Sequence, residues 1–157
     1  MRTCGECTLC CRGTLTVKIH EHKVFPGSPC PYITECGCGI YEDESRPEVC
    51  GAYKCMWLMD ENIPDWMRPD RVGFIMTLYE KYVVLTGDFI NKTISGSGII
   101  HAIKLCKTIK KPLFYTIPSA AGQDLYDRGS IVDHPDTHNR MGTLYEIFEP
   151  VELLNDE

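Results

Sequence analysis

The chain has 157 residues, close to average apolar and charged fractions, and a formal charge of −6. That length suits one domain of modest core; the composition excludes wholesale disorder, collagen-like repeats and a coiled coil, and the acidic balance disfavours a broad nucleic-acid surface. No run approaches the ~20 apolar residues of a membrane span, and Met1-Arg2-Thr3-Cys4 lacks a signal-peptide core, so the expected location is cytoplasmic, with no membrane association.

Nine of the ten cysteines precede Met56, and Cys106 stands apart. In a reducing cytosol such a concentration reads as metal ligation in preference to disulfides. The run Cys4-Gly5-Glu6-Cys7-Thr8-Leu9-Cys10-Cys11 is the strongest signal, because two-residue gaps let thiolates curl round one metal. Cys30, Cys38, Cys50 and Cys55 follow it, and eight thiolates match two four-ligand sites. Neighbouring Cys10 and Cys11 are expected to point apart and to serve different metals or different corners of one cluster. Phe25-Pro26-Gly27-Ser28-Pro29 reads as turn and irregular loop, so this segment is expected to depend on metal cross-links for its order.

From Val49 to Leu58 the apolar spacing predicts one short helix, opened by Pro47 and stopped before Pro64. The apolar runs 72–78 and 82–86, either side of Tyr79-Glu80-Lys81, predict a hairpin. Ser95 then caps an amphipathic helix with Ile99, Ile100, Ile103 and Cys106 on its apolar face, and a strand follows over 113–117. Beyond it lies mostly loop, with a strand or short helix near Leu144 to Phe148. The fold class expected is α+β: a loop-rich, metal-stapled lobe over residues 1–60, packed on a small antiparallel or mixed sheet with one main helix over 61–157.

Cys4 to Cys11, Cys30-Pro31-Tyr32-Ile33, Cys38-Gly39-Ile40-Tyr41, Arg46-Pro47-Glu48-Val49-Cys50 and Tyr53-Lys54-Cys55 together resemble the YkgJ-type cysteine-cluster family, described as a zinc- or iron-chelating domain. The resemblance spans roughly residues 4–58. It implies that Cys4, Cys7, Cys10, Cys11, Cys30, Cys38, Cys50 and Cys55 are metal ligands, with Cys36 an extra. A related cluster in a flagellin lysine methylase keeps an enzymatic alternative open, although no G-x-G-x-x-G element is present here to bind a second cofactor.

Other residues carry weaker signals. His20 and His22 could add an imidazole to the metal, and His134 and His138 with Asp133 and Asp136 have the spacing of a second site; a solvated surface and a loop are the plainer readings. Ser95-Gly96-Ser97-Gly98 reads as a helix cap before a phosphate loop, and Cys106 as core. Arg46 could pair with Glu42, Asp43 or Glu44, or donate to a sulfur, and Trp57 and Trp66 are expected to pack the lobe on the sheet. The function these features suggest is a non-enzymatic metal-binding scaffold for a protein partner, holding zinc in two Cys4 sites, with an iron–sulfur cluster in electron transfer or protein modification as the alternative.

Overall fold

A computed structural model describes residues 1–87, 94–111 and 113–116. The chain is α+β, with three small sheets and one dominant helix among the described residues.

The main sheet carries β5 (Phe74–Leu78), β6 (Val83–Gly87) and β7 (Leu113–Thr116), after two hairpins in the first forty residues. The expected hairpin forms: β5 pairs antiparallel with β6, from Phe74 opposite Gly87 to Leu78 opposite Val83. β7 lies parallel to β6, with Val83 opposite Leu113, so the sheet is mixed. A parallel neighbour needs a crossover, and helix α4 (Gly96–Ile109) lies within that connection. Ser95 caps α4 as the sequence predicts, its side chain accepting the Gly98 N–H at 3.1 Å.

The apolar stripe of α4 determines where the core sits. Ile99, Ala102, Ile103 and Cys106 are buried in one cluster with Phe74, Val83, Leu85 and Leu113. Cys106 is fully buried among these apolar side chains, as its place on the stripe implied. β6 is buried along its whole length, so the central strand is covered on both faces.

The cysteine-rich part has more regular structure than its turn composition suggests. Hairpin β1 (Val17–Ile19) with β2 (His22–Val24) turns through His20 at φ 53°, and β3 (Ile33–Thr34) pairs with β4 (Gly37–Cys38). Ile19 and Val24 bury their side chains beside Cys30, giving this part a small core independent of any metal. The helix expected over 49–58 is broken into α1 (Glu48–Ala52) and α2 (Met56–Met59), because Tyr53 (ψ 130°) and Cys55 (ψ 162°) are extended. Tyr53 has a tertiary partner that local periodicity does not register: its hydroxyl bonds Thr77 Oγ1 at 2.8 Å, tying the break to β5. Helix α3 (Pro69–Val72) precedes β5.

Trp57 is buried in the main cluster, whereas Trp66 is largely exposed and meets His101 edge-on at 5.4 Å between ring centroids. The expectation holds for Trp57 alone. No helix among the described residues is long and apolar enough to cross a membrane. The histidine pair 134 and 138 and the tail elements lie outside the described residues.

Candidate functional site: a thiol-walled cavity over the sheet

Pleating turns alternate residues of the hairpin away from α4. On β5 and just beyond it these are Ile75, Thr77 and Tyr79; before and along β6 they are Tyr82, Val84 and Thr86. Together they floor a cavity of about 340 Å³.

The thiols supply much of the opposite wall. Cys4, Cys7, Cys10 and Cys11 reach it from the N-terminal turns, Cys30 and Cys38 from the second hairpin region, and Cys50 and Cys55 from α1 and the residue capping α2. All eight cysteines singled out by their spacing therefore face one space, and Cys36 and Cys106 do not.

Local backbone features hold these segments together. The Cys7 N–H donates to Cys4 O at 2.9 Å, and Cys30 N–H donates to Cys11 O at 2.8 Å. Cys10 and Cys11 lie in a 3-10 turn closed by Gly13 in the left-handed conformation (φ 99°), where an L side chain would be strained. Gly37 (φ 120°) packs so closely on the Gly5 carbonyl that any β-carbon would collide with it, and this contact seats β4 and Cys38 against the N-terminal turn. Arg2 is a further clasp. Its guanidinium donates to the carbonyls of Trp57 (2.8 Å), Asp60 (3.1 Å), Glu61 (3.3 Å) and Ile63 (2.6 Å) and stacks on the Trp57 ring at 4.5 Å. The segment bearing Cys4 is thereby fixed to the segment bearing Cys55.

The thiols are not chemically equivalent. Cys10 and Cys11 line the same space with their Sγ atoms 3.9 Å apart, contrary to the expected divergence. The hydrogen bond shared with Cys10 pulls the Cys11 thiol down to about 7 against the cost of burial, and the Arg46 charge helps. Cys10 is pushed far up by the same contact and by burial. Burial raises Cys7 to about 11 and also raises Cys4, Cys30, Cys50 and Cys55. The Arg46 charge acts on Cys11 and makes it the favoured thiolate of the pair.

Arg46 forms no ion pair with Glu42, Asp43 or Glu44. Its guanidinium lies 4.0 Å from the Tyr41 ring centroid, and its terminal nitrogens donate to Tyr41 O at 3.4 Å and Cys50 O at 3.1 Å. Its Nε, like Thr16 Oγ1, is buried without a hydrogen-bond partner among the described residues, and both residues line the cavity. His22 Nε2 lies 2.9 Å from Pro29 O and 3.2 Å from Ser28 Oγ, in the loop and away from the thiols' cavity.

This geometry corrects the metal reading. Among the described residues no group of three or more His, Cys, Asp or Glu side chains is placed to hold a metal ion. A four-thiolate zinc site draws its sulfurs to about 2.3 Å from one point. Here Cys4, Cys7, Cys10, Cys11, Cys30, Cys38, Cys50 and Cys55 are distributed round a cavity wall, and all ten cysteines are free thiols. The expected zinc sites, the alternative iron–sulfur cluster, the metal-stapled lobe and the metal-binding scaffold are thus set aside, and with them the resemblance to the YkgJ-type family. Sequence spacing had established proximity along the chain but not convergence on a point.

Reading the sequence for cysteines alone misses the floor. Its signal was present: Thr77, Val84 and Thr86 alternate with the core residues Met76, Val83 and Leu85, yet only one face of the sheet had a helix assigned to it. No protein-family model, no curated protein and no solved structure matches the chain.

Proposed function

We propose that this chain binds a compact, mainly apolar electrophile in the cavity and bonds it covalently through Cys11. The observation that carries the reading is the convergence of eight thiols, from separate stretches of chain, on one space of about 340 Å³ above an apolar sheet face. That volume falls at the lower end of the roughly 300–1,000 Å³ of small-molecule sites. Apolar walls favour an apolar guest, while Cys11 offers the nucleophile.

An α,β-unsaturated carbonyl compound fits both requirements. The Cys11 sulfur attacks the β-carbon with its lone pair, forming the S–C bond. The π pair of the carbon–carbon double bond moves onto the carbonyl as an enolate, and water protonates the α-carbon. The thiol proton has already passed to solvent, so no oxidant or reductant enters.

The test is adduct mapping by peptide mass spectrometry after brief exposure to 2-cyclohexen-1-one at pH 7.5. One dominant adduct on Cys11, abolished in Cys11→Ser with the other thiols left unmodified, is the expected result. Faster modification of the exposed Cys36 than of Cys11 overturns the proposal.

A further inference from the structure

Arg46 is the one residue ordinarily charged at neutral pH among the described residues that line the cavity; the others are thiols, hydroxyl-bearing residues and apolar side chains, with no carboxylate among them. It is half-buried, and no ion pair reaches it among the described residues. Its contacts, with Tyr41 O, Cys50 O and the Tyr41 ring, are all to neutral groups. A cation withdrawn from water without a counter-ion is costly. The thiol wall supplies a partial answer, because the guanidinium charge favours the thiolate at Cys4, Cys11 and Cys50. Addition at Cys11 takes that answer away. The thioether is neutral, so a neutral guest leaves the guanidinium uncompensated, whereas a guest with one anionic group brings a new counter-ion into the same space.

We infer that the cavity selects electrophiles that carry a carboxylate, with the Arg46 guanidinium as the counter-ion of that group while Cys11 bonds the electrophilic carbon. The inference rests on the cavity being the site where Cys11 captures its guest. It narrows the guest to a compact apolar electrophile with one carboxylate, such as an enone acid. A carboxylate matches a single guanidinium charge for charge and suits its planar fork. A phosphate monoester, at about −1.5 to −2, leaves part of its charge unpaired in an apolar space. The chain's formal charge of −6 opposes anions at long range, so a preference for them at Cys11 originates inside the cavity.

Two reagents of like size separate the charge preference from the strength of the nucleophile. Iodoacetate and iodoacetamide each lose iodide as the Cys11 sulfur bonds their methylene carbon, and they differ in a carboxylate against an amide. Rates at Cys11 are read by peptide mass spectrometry at pH 7.5, and the iodoacetate-to-iodoacetamide ratio cancels the thiolate fraction. In the wild-type chain this ratio should exceed that of N-acetylcysteine amide, a free neutral thiol, by about threefold or more. In Arg46→Gln it should fall to the free-thiol value; in Arg46→Lys, which keeps the charge, it should stay above it. A wild-type ratio at or below the free-thiol value overturns the inference. So does a ratio that Arg46→Gln leaves unchanged, or one that Arg46→Lys loses as fully as Arg46→Gln. In each of these outcomes Cys11 is still modified and the cavity reading stands; if neither reagent modifies Cys11 in the wild-type chain, the cavity reading itself fails. Should the Arg46 variants not fold, the wild-type ratio decides.

Discussion

The two faces of the β5–β6 hairpin carry opposite designs. Toward α4, Leu85 and Val83 meet Ile103, Ala102 and Leu113 in a close-packed apolar cluster whose members are almost wholly buried. On the other face, Thr77, Val84 and Thr86 line a cavity together with Ile75, which also belongs to the core cluster, and the far wall is made of short segments bearing thiols. The same pleated strands thus present one face to stability and the other to chemistry. Packing energy concentrates where side chains interdigitate, whereas the thiol wall is positioned by backbone contacts, turns and the Arg2 clasp as well as by the burial of Cys30 and Cys55.

This contrast yields its largest expected effect in the core. Leu85→Ala should lower unfolding free energy by about 3 kcal/mol in urea denaturation, the usual cost of a large cavity in a packed interior. Cys50→Ser, on the thiol wall, should cost no more than about 1 kcal/mol, as expected for a half-buried residue that only borders the small Ile19, Val24 and Cys30 cluster. If Cys50→Ser instead proved as damaging as Leu85→Ala, the two faces would not differ as described.

Next in size is the clasp. Arg2→Ala removes four charge-assisted contacts to the carbonyls of 57–63 and should cost about 1–2 kcal/mol. Hydrogen exchange should speed up around residues 4–7 and 55–60 while α4 and β6 keep their protection. Uniform loss of protection would show that the two regions unfold as one.

A subtler effect separates the thiols. The Cys11 modification rate should rise with pH through about 7, since its folded value lies below that of an ordinary thiol and its thiolate fraction grows there. Cys106, raised to about 12 by burial, should stay unreactive through pH 9. Cys10→Ala removes the hydrogen-bond partner of Cys11 and should shift the Cys11 profile upward, reducing its rate at pH 7. An unchanged profile would deny Cys10 its part. Ser95→Ala, remote from the cavity, should cost about 1 kcal/mol by uncapping α4 and leave the Cys11 rate unchanged.

Much of the sheet and helix was legible in the sequence because local pattern and tertiary demand agree there. The runs flanking Tyr79-Glu80-Lys81, the Ser95 cap and the stripe Ile99, Ile103, Cys106 each point the same way at both levels. The parallel placement of β7 was not fixed by pattern, since it depends on where α4 returns the chain. The break at Tyr53 escaped detection because its cause, Thr77, lies 24 residues away. Of the site, the eight cysteines were legible as a set, and the structure gathers all of them. Their arrangement was not: a metal centre and a thiol-lined cavity draw on the same residue type, and only the positions of side chains from distant segments distinguish them. Thr16 and the sheet floor carried no chemical signature of their own.

The most direct test of the thiol-walled cavity is whole-protein mass spectrometry of natively purified chain, with iodoacetamide modification followed by peptide mapping at pH 7.5. The structure predicts a metal-free mass, Cys11 as the first cavity thiol modified, and Cys106 protected until the core unfolds. Stoichiometric bound metal, with all eight cavity cysteines blocked until a chelator is added, would contradict it.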